Sequence, residues 1–558
     1  MAWHIFRKDL VLLWPVVLFG ALAQWGLFAA AFAMDATPQA TYLRPLAQLG
    51  SMAVFLAIVF VTALGVQQDP LPGTRQDWLT RPIRRADLLA AKVLFVLLAI
   101  QLPMLIGDAA QILAHGFSFG EAVAGALARN LLIFVTVTLP ALALAAMTRT
   151  LGQFIAAGIA YFIAVAAIVI VLSLAARLAG QEQVTNPLIW TGVAWIPQTL
   201  GRIVLAAGAA IAVLLLYLRR RILQARCVLP ALALLSVLTA LLPWSWIFAV
   251  QQAAAAAPSP PPVAVAVNLS APRYRPAPGE NADAYAVGAG QVQLRGRAAG
   301  DVPAENRARS AERNVTVYLP VRLTGLPAGV RPWVDRAEVR LTGADGQLVF
   351  EDRGDDLKLR PDGSAYETLR LPALVYERAK DRPLHLEIAF SLSLLSPQPV
   401  ETVAALGADQ RLPGLGRCTS GRDSDGDEIE LRCLTPAGPP SCLAAALADP
   451  AAGLRNPDVL ICAPNYAPYA TRSLPDALSR FEVEAPFRDR LGLGTYPVGA
   501  DRLAGAQVVL TRYEASAHLV RRATADGLRL ADWTAGESGG PETRLHQTHP
   551  TTAQAGKP

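Results

Sequence analysis

The chain has 558 residues, 53% of them hydrophobic, and 50 Lys and Arg against 44 Asp and Glu give a formal charge of +6. That length accommodates several domains. No dense Lys/Arg block with interleaved aromatics occurs in the polar half, which argues against nucleic-acid binding. These averages cover two unlike parts: residues 1–250 carry nearly all the long apolar runs, and residues 251–558 are rich in Pro, Gly, Arg and Asp.

The first part reads as an α-helical polytopic membrane domain. About 20 apolar residues cross a bilayer core as a helix. Seven runs qualify: Val11–Ala33, Leu46–Val66, Leu88–Ile106, Asn130–Met147, Phe154–Leu174, Thr199–Leu218 and Val228–Val250. Thr199–Leu218 is the weakest, since it opens with polar residues. Ala31-Phe32-Ala33 has the form of a signal-peptide cleavage site, but the run before it is too long for a usual h-region and further spans follow. It is therefore read as a retained helix.

Between the second and third runs lies a polar island, Asp69–Lys92, reading DPLPGTRQDWLTRPIRRADLLAAK. Pro70, Pro72 and Gly73 break the incoming helix. Thr74 caps a short new one, with Asp77 in the capping-box position. Pro82 biases Arg81 away from helical geometry and suits the start of the next helix. On its residues alone, this basic elbow is either a loop held by lipid phosphates or a knob for a partner to grip.

Charge sets the expected orientation. With the N-terminus in the cytoplasm, the inside segments hold Arg7, Lys8, Arg75, Arg81, Arg84, Arg85, Lys92, Arg149, Arg219, Arg220, Arg221 and Arg226. The outside segments of this half hold only Arg44, Arg129, Arg177 and Arg202, the bias the positive-inside rule describes. Seven spans then put everything after Val250 outside. No ionisable residue is expected near the middle of a span, Lys92 and Asp108 lying near the ends of the third. This argues against an ion-coupled transporter or channel. Gln24, Gln101, Thr136 and Thr138 are read as interhelical hydrogen bonders, with a polar path as the alternative. Trp190 and Trp195, in Gly180–Gln198, fit an interfacial belt.

An N-terminal RKDL segment (Arg7, Lys8, Asp9), two apolar spans and the QDPLPGTRQDWLTRPIRRADLLAAK loop, in that order, resemble the permease subunit of type-2 ABC exporters over roughly residues 1–225. The resemblance implies a coupling helix in this loop, with Thr74, Arg75, Asp77, Trp78 and Arg81 facing a separate cytoplasmic ATPase. It implies an elbow helix at the N-terminus, a homo- or heterodimer of permease subunits and a prokaryotic inner membrane. A re-entrant helix between the fifth and sixth spans is implied too, an ordinary outer loop being the other reading. Arg7, Lys8, Arg84, Arg85, Arg219, Arg220 and Arg221 would sit at the membrane surface among lipid headgroups. Two features depart from the family: six spans are usual there, and most members lack a large C-terminal outer domain.

Gln251–Pro262, QQAAAAAPSPPP, reads as a semi-rigid linker. Beyond it, alternating segments bounded by Asp-Gly and Pro-Gly signals indicate antiparallel strands: Asn314–Arg322, Ala337–Leu341 turning into QLVFED, Leu384–Leu394 and Phe481–Ala485. An all-β, sandwich-like extracytoplasmic domain is expected, divided into residues 263–400 and a disulfide-containing region 401–533, with a disordered tail over 534–558. Cys227 reads as inert packing. Cys418, Cys433, Cys442 and Cys462 all fall in this outer half, an even set that indicates disulfides in an oxidising compartment. Cys418 and Cys433 are symmetric about Asp425-Gly426, a favoured hairpin turn. The expected pairs are therefore Cys418–Cys433 and Cys442–Cys462, two other connectivities being compatible with four cysteines.

Catalytic signatures are missing from the sequence. It has no GxxxxGK[ST] loop, HExxH or GxSxG, and its six histidines make no ligand spacing. Asp423-Ser-Asp425-Gly-Asp427-Glu428 begins like a calcium loop, but Glu428 stands where glycine belongs and Leu434 where a glutamate belongs. It reads as a solvated acidic hairpin tip. No cofactor or metal is expected, and ATP hydrolysis would lie in the partner. The leading expectation is the transmembrane subunit of an ATP-driven exporter. Its rival is a membrane-anchored extracytoplasmic binding or assembly protein without transport.

Overall fold

A computed structural model describes residues 1–36, 43–69, 84–178, 195–239, 242–254, 262–274, 314–354, 357–359, 365–423, 426–436, 442–462, 477–488 and 496–534. The first half is helical. α1 (Ala2–Ala36) and α2 (Leu43–Gln67) are followed by α3 (Arg85–Phe95), which passes through a π-helical turn, Val96–Gln101, into α4 (Leu102–Ala114). α5 (Phe119–Ile133) passes through a second π turn, Phe134–Thr138, into α6 (Leu139–Met147). α7 (Leu151–Leu178), α8 (Trp195–Leu214), a third π turn Leu215–Arg219, α9 (Ile222–Leu238) and α10 (Trp244–Ala254) complete it.

Six of these rods, among the described residues, are long and apolar enough to cross a membrane. The expected seventh span, Val228–Val250, is not one helix: α9 stops at Leu238 and α10 starts at Trp244. Pro243, immediately before α10, has no N–H with which to continue a helix. α9 nevertheless runs back alongside α8, because Thr239 at its end donates to the Pro197 carbonyl at the start of α8. The N-terminal RKDL segment is also not a separate elbow. α1 is continuous from Ala2, and Asp9 within it is fully buried. Cys227, expected as packing, is exposed on α9.

Two of the π turns have an evident cause. Pro103 and Pro140 each lack the N–H that would close an i→i−4 bond and crowd the preceding turn, and the helix widens just before each of them. Gln101 and Thr138 end these two turns, and Gln101 Nε2 donates to Thr138 Oγ1 at 3.0 Å. The interhelical role read for both residues is therefore observed.

The second half is built from antiparallel strands: β1 (Ala264–Val267), β2 (Asn314–Thr324), β3 (Arg331–Thr342), β4 (Leu348–Gly354), β5 (Leu357–Leu359), β6 (Ala365–Pro372), β7 (Leu384–Ala404), β8 (Asp409–Leu412), β9 (Gly416–Arg422), β10 (Glu428–Thr435), β11 (Cys442–Asp449), β12 (Leu454–Arg455), β13 (Val459–Cys462), β14 (Ser479–Pro486) and β15 (Gln507–Leu528). β7 and β15, 21 and 22 residues long, pair along most of their length at the centre of a seven-stranded sheet. One half of that sheet packs on β1-β2-β6-β5 through Val317, Leu319, Leu341, Leu369, Leu386 and Ile388. The other half packs on β14-β10-β9-β8 through Leu431, Leu443, Phe481, Val483, Val508 and Leu510. Residue 400 therefore lies inside a strand and is no boundary: the two layered units share β7 and β15.

Cys418 lies directly opposite Cys433 in the β9–β10 hairpin, and Cys442 opposite Cys462 between β11 and β13. Both pairs are bonded, in the expected connectivity. Closing a loop of about 15 residues is worth about 3 kcal/mol in the chain-entropy account. Replacing Cys418 and Cys433 together by alanine is expected to lower stability by about that amount, read by thermal unfolding of the oxidised protein. An unchanged midpoint would show that the bond is not formed or not stabilising.

Candidate functional site

Two buried ionic clusters occupy the rod formed by α3 and α4, one toward each end. They are 16 residues apart, about 24 Å at 1.5 Å per residue, a spacing a little less than the hydrocarbon core of a bilayer, about 30 Å thick. Lys92 and Asp108 thus keep toward the ends of the rod, as the sequence indicated, although both are buried within the helix. The rod covers Arg85–Ala114 rather than Leu88–Ile106, and each of the two residues is about 1% exposed.

The first cluster centres on Lys92. Its ammonium donates to Asp9 Oδ2 at 2.7 Å, Asp69 Oδ2 at 2.7 Å and the Gly65 carbonyl at 2.8 Å. Three acceptors satisfy all three donors of an ammonium. Lys8 adds a second cation, 3.0 Å from Asp69 Oδ1 and 3.4 Å from Asp9 Oδ1. Two lysines balance two aspartates, so the apolar surroundings hold no net charge. Burial opposes ionisation of Asp69, but Lys92 and Lys8 outweigh it and keep its carboxyl below the ordinary range. Gly65 allows the close approach: a Cβ there would lie 2.5 Å from the Phe95 ring.

Asp69 sits two residues past the end of α2, at the threshold of residues 70–83. On the far side, Arg85 Nη1 donates to the Leu218 carbonyl at 3.0 Å, in the π turn after α8. Thr74, Arg75, Asp77, Trp78 and Arg81, the residues read as facing a partner, lie outside the described residues. Of the other basic residues, Arg7, Arg84, Arg219, Arg220 and Arg221 are exposed near this end of the bundle, and Lys8 is half-engaged in the cluster. Arg220 takes a left-handed conformation, φ 54°, where the chain reverses into α9.

The second cluster centres on Asp108. It receives Arg129 Nη1, Asn130 Nδ2 at 2.9 Å and Gln24 Nε2 at 3.2 Å. Arg129, read as an outer-loop residue, is 7% exposed within α5. The sequence did carry a signal for this. Gly116, at φ +82°, ends α4, and Ser118 and Glu121 form a capping box at the start of α5. This helical turn also receives the outer half. Arg411 pairs with Glu121 and lies 5.3 Å over the Phe117 ring, while Ile112 and Ala122 pack with Ala477 and Leu478.

The Lys92 end and the outer half therefore occupy opposite ends of the helical bundle. At the acidic hairpin, Asp423 Oδ1 accepts from the backbone N–H of Asp427 and Glu428, so its carboxylate is used locally. No known family model, curated protein or solved structure matches the chain.

Removing one partner of a buried ion pair costs about 3–5 kcal/mol, because the other charge stays stranded. Lys92→Met is expected to lower thermal stability in detergent by about that much. Adding Asp9→Asn and Asp69→Asn is expected to restore part of the loss. If the triple variant loses the full sum of the separate effects, the residues are not coupled as described.

Proposed function

We propose that the chain is the membrane-spanning subunit of an ATP-driven exporter, gripped by a separate cytoplasmic ATPase through residues 70–83. The observation that carries this reading is the fastening of both ends of that segment. Asp69 is tied through Lys92 to α1 and α3, and Arg85 to the turn ending α8. A push on the segment reaches three rods through short contacts, the Lys92–Asp9 one fully buried, which a loop serving only as a connection has no need of. The loop sequence itself, which resembles a coupling helix, supplies the partner's class.

In this reading the Lys92 end faces the cytoplasm and the outer half faces the opposite compartment. The exposed arginines at the Lys92 end support that orientation through the positive-inside rule. Two disulfides in the outer half fit an oxidising compartment. α9 returns the chain to the end where the outer half sits, although it is shorter than the other rods. The membrane is a prokaryotic inner membrane, and the working unit holds two permease subunits, alike or different.

A membrane-anchored binding or assembly protein is the second reading. The size and two-core construction of the outer half favour it, since export alone needs no such structure. The partner decides between them. Replacing Arg75, Asp77 and Trp78 together by alanine is expected to reduce the ATP-binding subunit recovered with the protein by at least about tenfold, a loss of about 1.4 kcal/mol in association. Undiminished recovery would show that the ATPase does not dock there.

A further inference from the structure

Where the outer half meets the helices a second time, five side chains form one directed chain of hydrogen bonds. Trp195 Nε1, at the start of α8, donates to Gln251 Oε1 at 2.7 Å. Gln251 Nε2, on α10, lies 2.9 Å from His518 Nε2 on β15. His518 Nδ1 lies 2.7 Å from Ser393 Oγ on β7, and Ser393 Oγ donates to Asp335 Oδ2 on β3. Asp335 reaches this position because it is the extra residue of a bulge between Val334 and Arg336. Ser393, His518 and Asp335 are brought together, but as a serine bridging the other two and not as a serine activated by a histidine held by an aspartate.

The two ends of this chain fix its polarity. An indole N–H can only donate, so Gln251 must present its oxygen to Trp195 and its amide N–H to His518. A carboxylate accepts, so the Ser393 hydroxyl points to Asp335 and its oxygen accepts from His518 Nδ1. His518 is therefore the neutral tautomer, with its proton on Nδ1 and a bare Nε2. A second proton has only Nε2 to go to, where it would face the Gln251 amide hydrogens. Gln251 could receive it only by turning its carboxamide, which breaks the bond to Trp195.

We infer that His518 is a proton-binding site whose second proton releases α10 from the long sheet, so that the seating of the outer half on the helices weakens in acid. The released contact is specific: Gln252 Nε2 donates to the His518 carbonyl at 3.2 Å, and Phe248 lies edge-on to the imidazole at 6.0 Å. α10 itself brings no ionisable group, and β7 offers Ser391 and Ser393. From β3 come Asp335 and Arg336. Arg336 is paired with Glu338 at 2.8 Å and lies 5.3 Å over Trp244. Only Asp335 favours the imidazolium, and it does so through Ser393. Burial pushes the seated imidazole below its ordinary pKa. An unseated His518 titrates near about 6.5, so it binds protons first as the pH falls. The seated state is fully favoured above that value and loses stability progressively below it.

Hydrogen exchange of the full-length protein in detergent, followed by mass spectrometry, tests this. After correction for intrinsic rates, exchange in Trp244–Ala254 is expected to be steady above about pH 7 and to rise by about tenfold by about pH 5. In His518→Gln, which has no titrating ring, the step should vanish. In Trp195→Phe, a surface change that frees the Gln251 carboxamide to turn, the step should shrink. The unaltered protein showing no step would overturn the proposal. So would a step that persists undiminished in His518→Gln or, should that variant not fold, in Trp195→Phe.

Discussion

Lys92 is buried inside an apolar bundle, where Asp9 and Asp69 meet it from two other segments. Burial of a lone charge costs several kcal/mol, and a partner at hydrogen-bond distance is the remedy available without a change of protonation. That requirement fixes how α1 lies against α3 and where the chain leaves α2. It also makes Gly65 close to obligatory, since its carbonyl supplies the third acceptor and its missing side chain leaves room for Phe95. The Asp108–Arg129 pair imposes the same discipline on α1, α4 and α5 toward the other end. Each cluster joins helices that apolar packing alone would leave free to slide or rotate.

The outer half is held together differently. β7 and β15 run through both layered units, so one core cannot shear against the other without breaking the central ladder. The same strand pair carries Ser393 and His518, against which α10 is seated, while Arg411, beyond β7, meets the turn between α4 and α5. Among the described residues, the outer half thus rests on the bundle at two places. Movement of the rods around Asp108 would be felt there, which would give the proposed exporter a route from the loop of residues 70–83 to the strand-built half.

Legibility in the sequence followed the range of the interaction. Alternation is local, so NVTVYLPVR, AEVRL and FEVEA were readable as strands, and the symmetry of Cys418 and Cys433 about Asp425-Gly426 pointed to their pairing among the three connectivities open to four cysteines. Apolar runs were equally plain, but their edges were not. Arg129 looked like a loop residue because it lies just before the apolar run that begins at Asn130, and its partner, Asp108, is 21 positions away. The capping box Ser118-x-x-Glu121 was the one local clue. The Lys92 cluster joins residues separated by 83 and 23 positions, and no periodicity marks it. The strand read over Leu384–Leu394 extends to Ala404, past Pro397 and Pro399. The strand continues because its ladder with β15 shifts register opposite them, between Thr511 and Tyr513. Of the proposed coupling site, the residues were named from the loop itself, whereas the clamp that would make it effective emerged only in three dimensions.

The central claim is that a separate ATPase drives this chain. Isolation of the unaltered protein from its native membrane in mild detergent, with mass spectrometry of everything that accompanies it, tests that claim most directly. The account predicts an ATP-binding subunit in fixed stoichiometry with the chain. A preparation with the helical and outer halves intact and no ATP-binding subunit would contradict it.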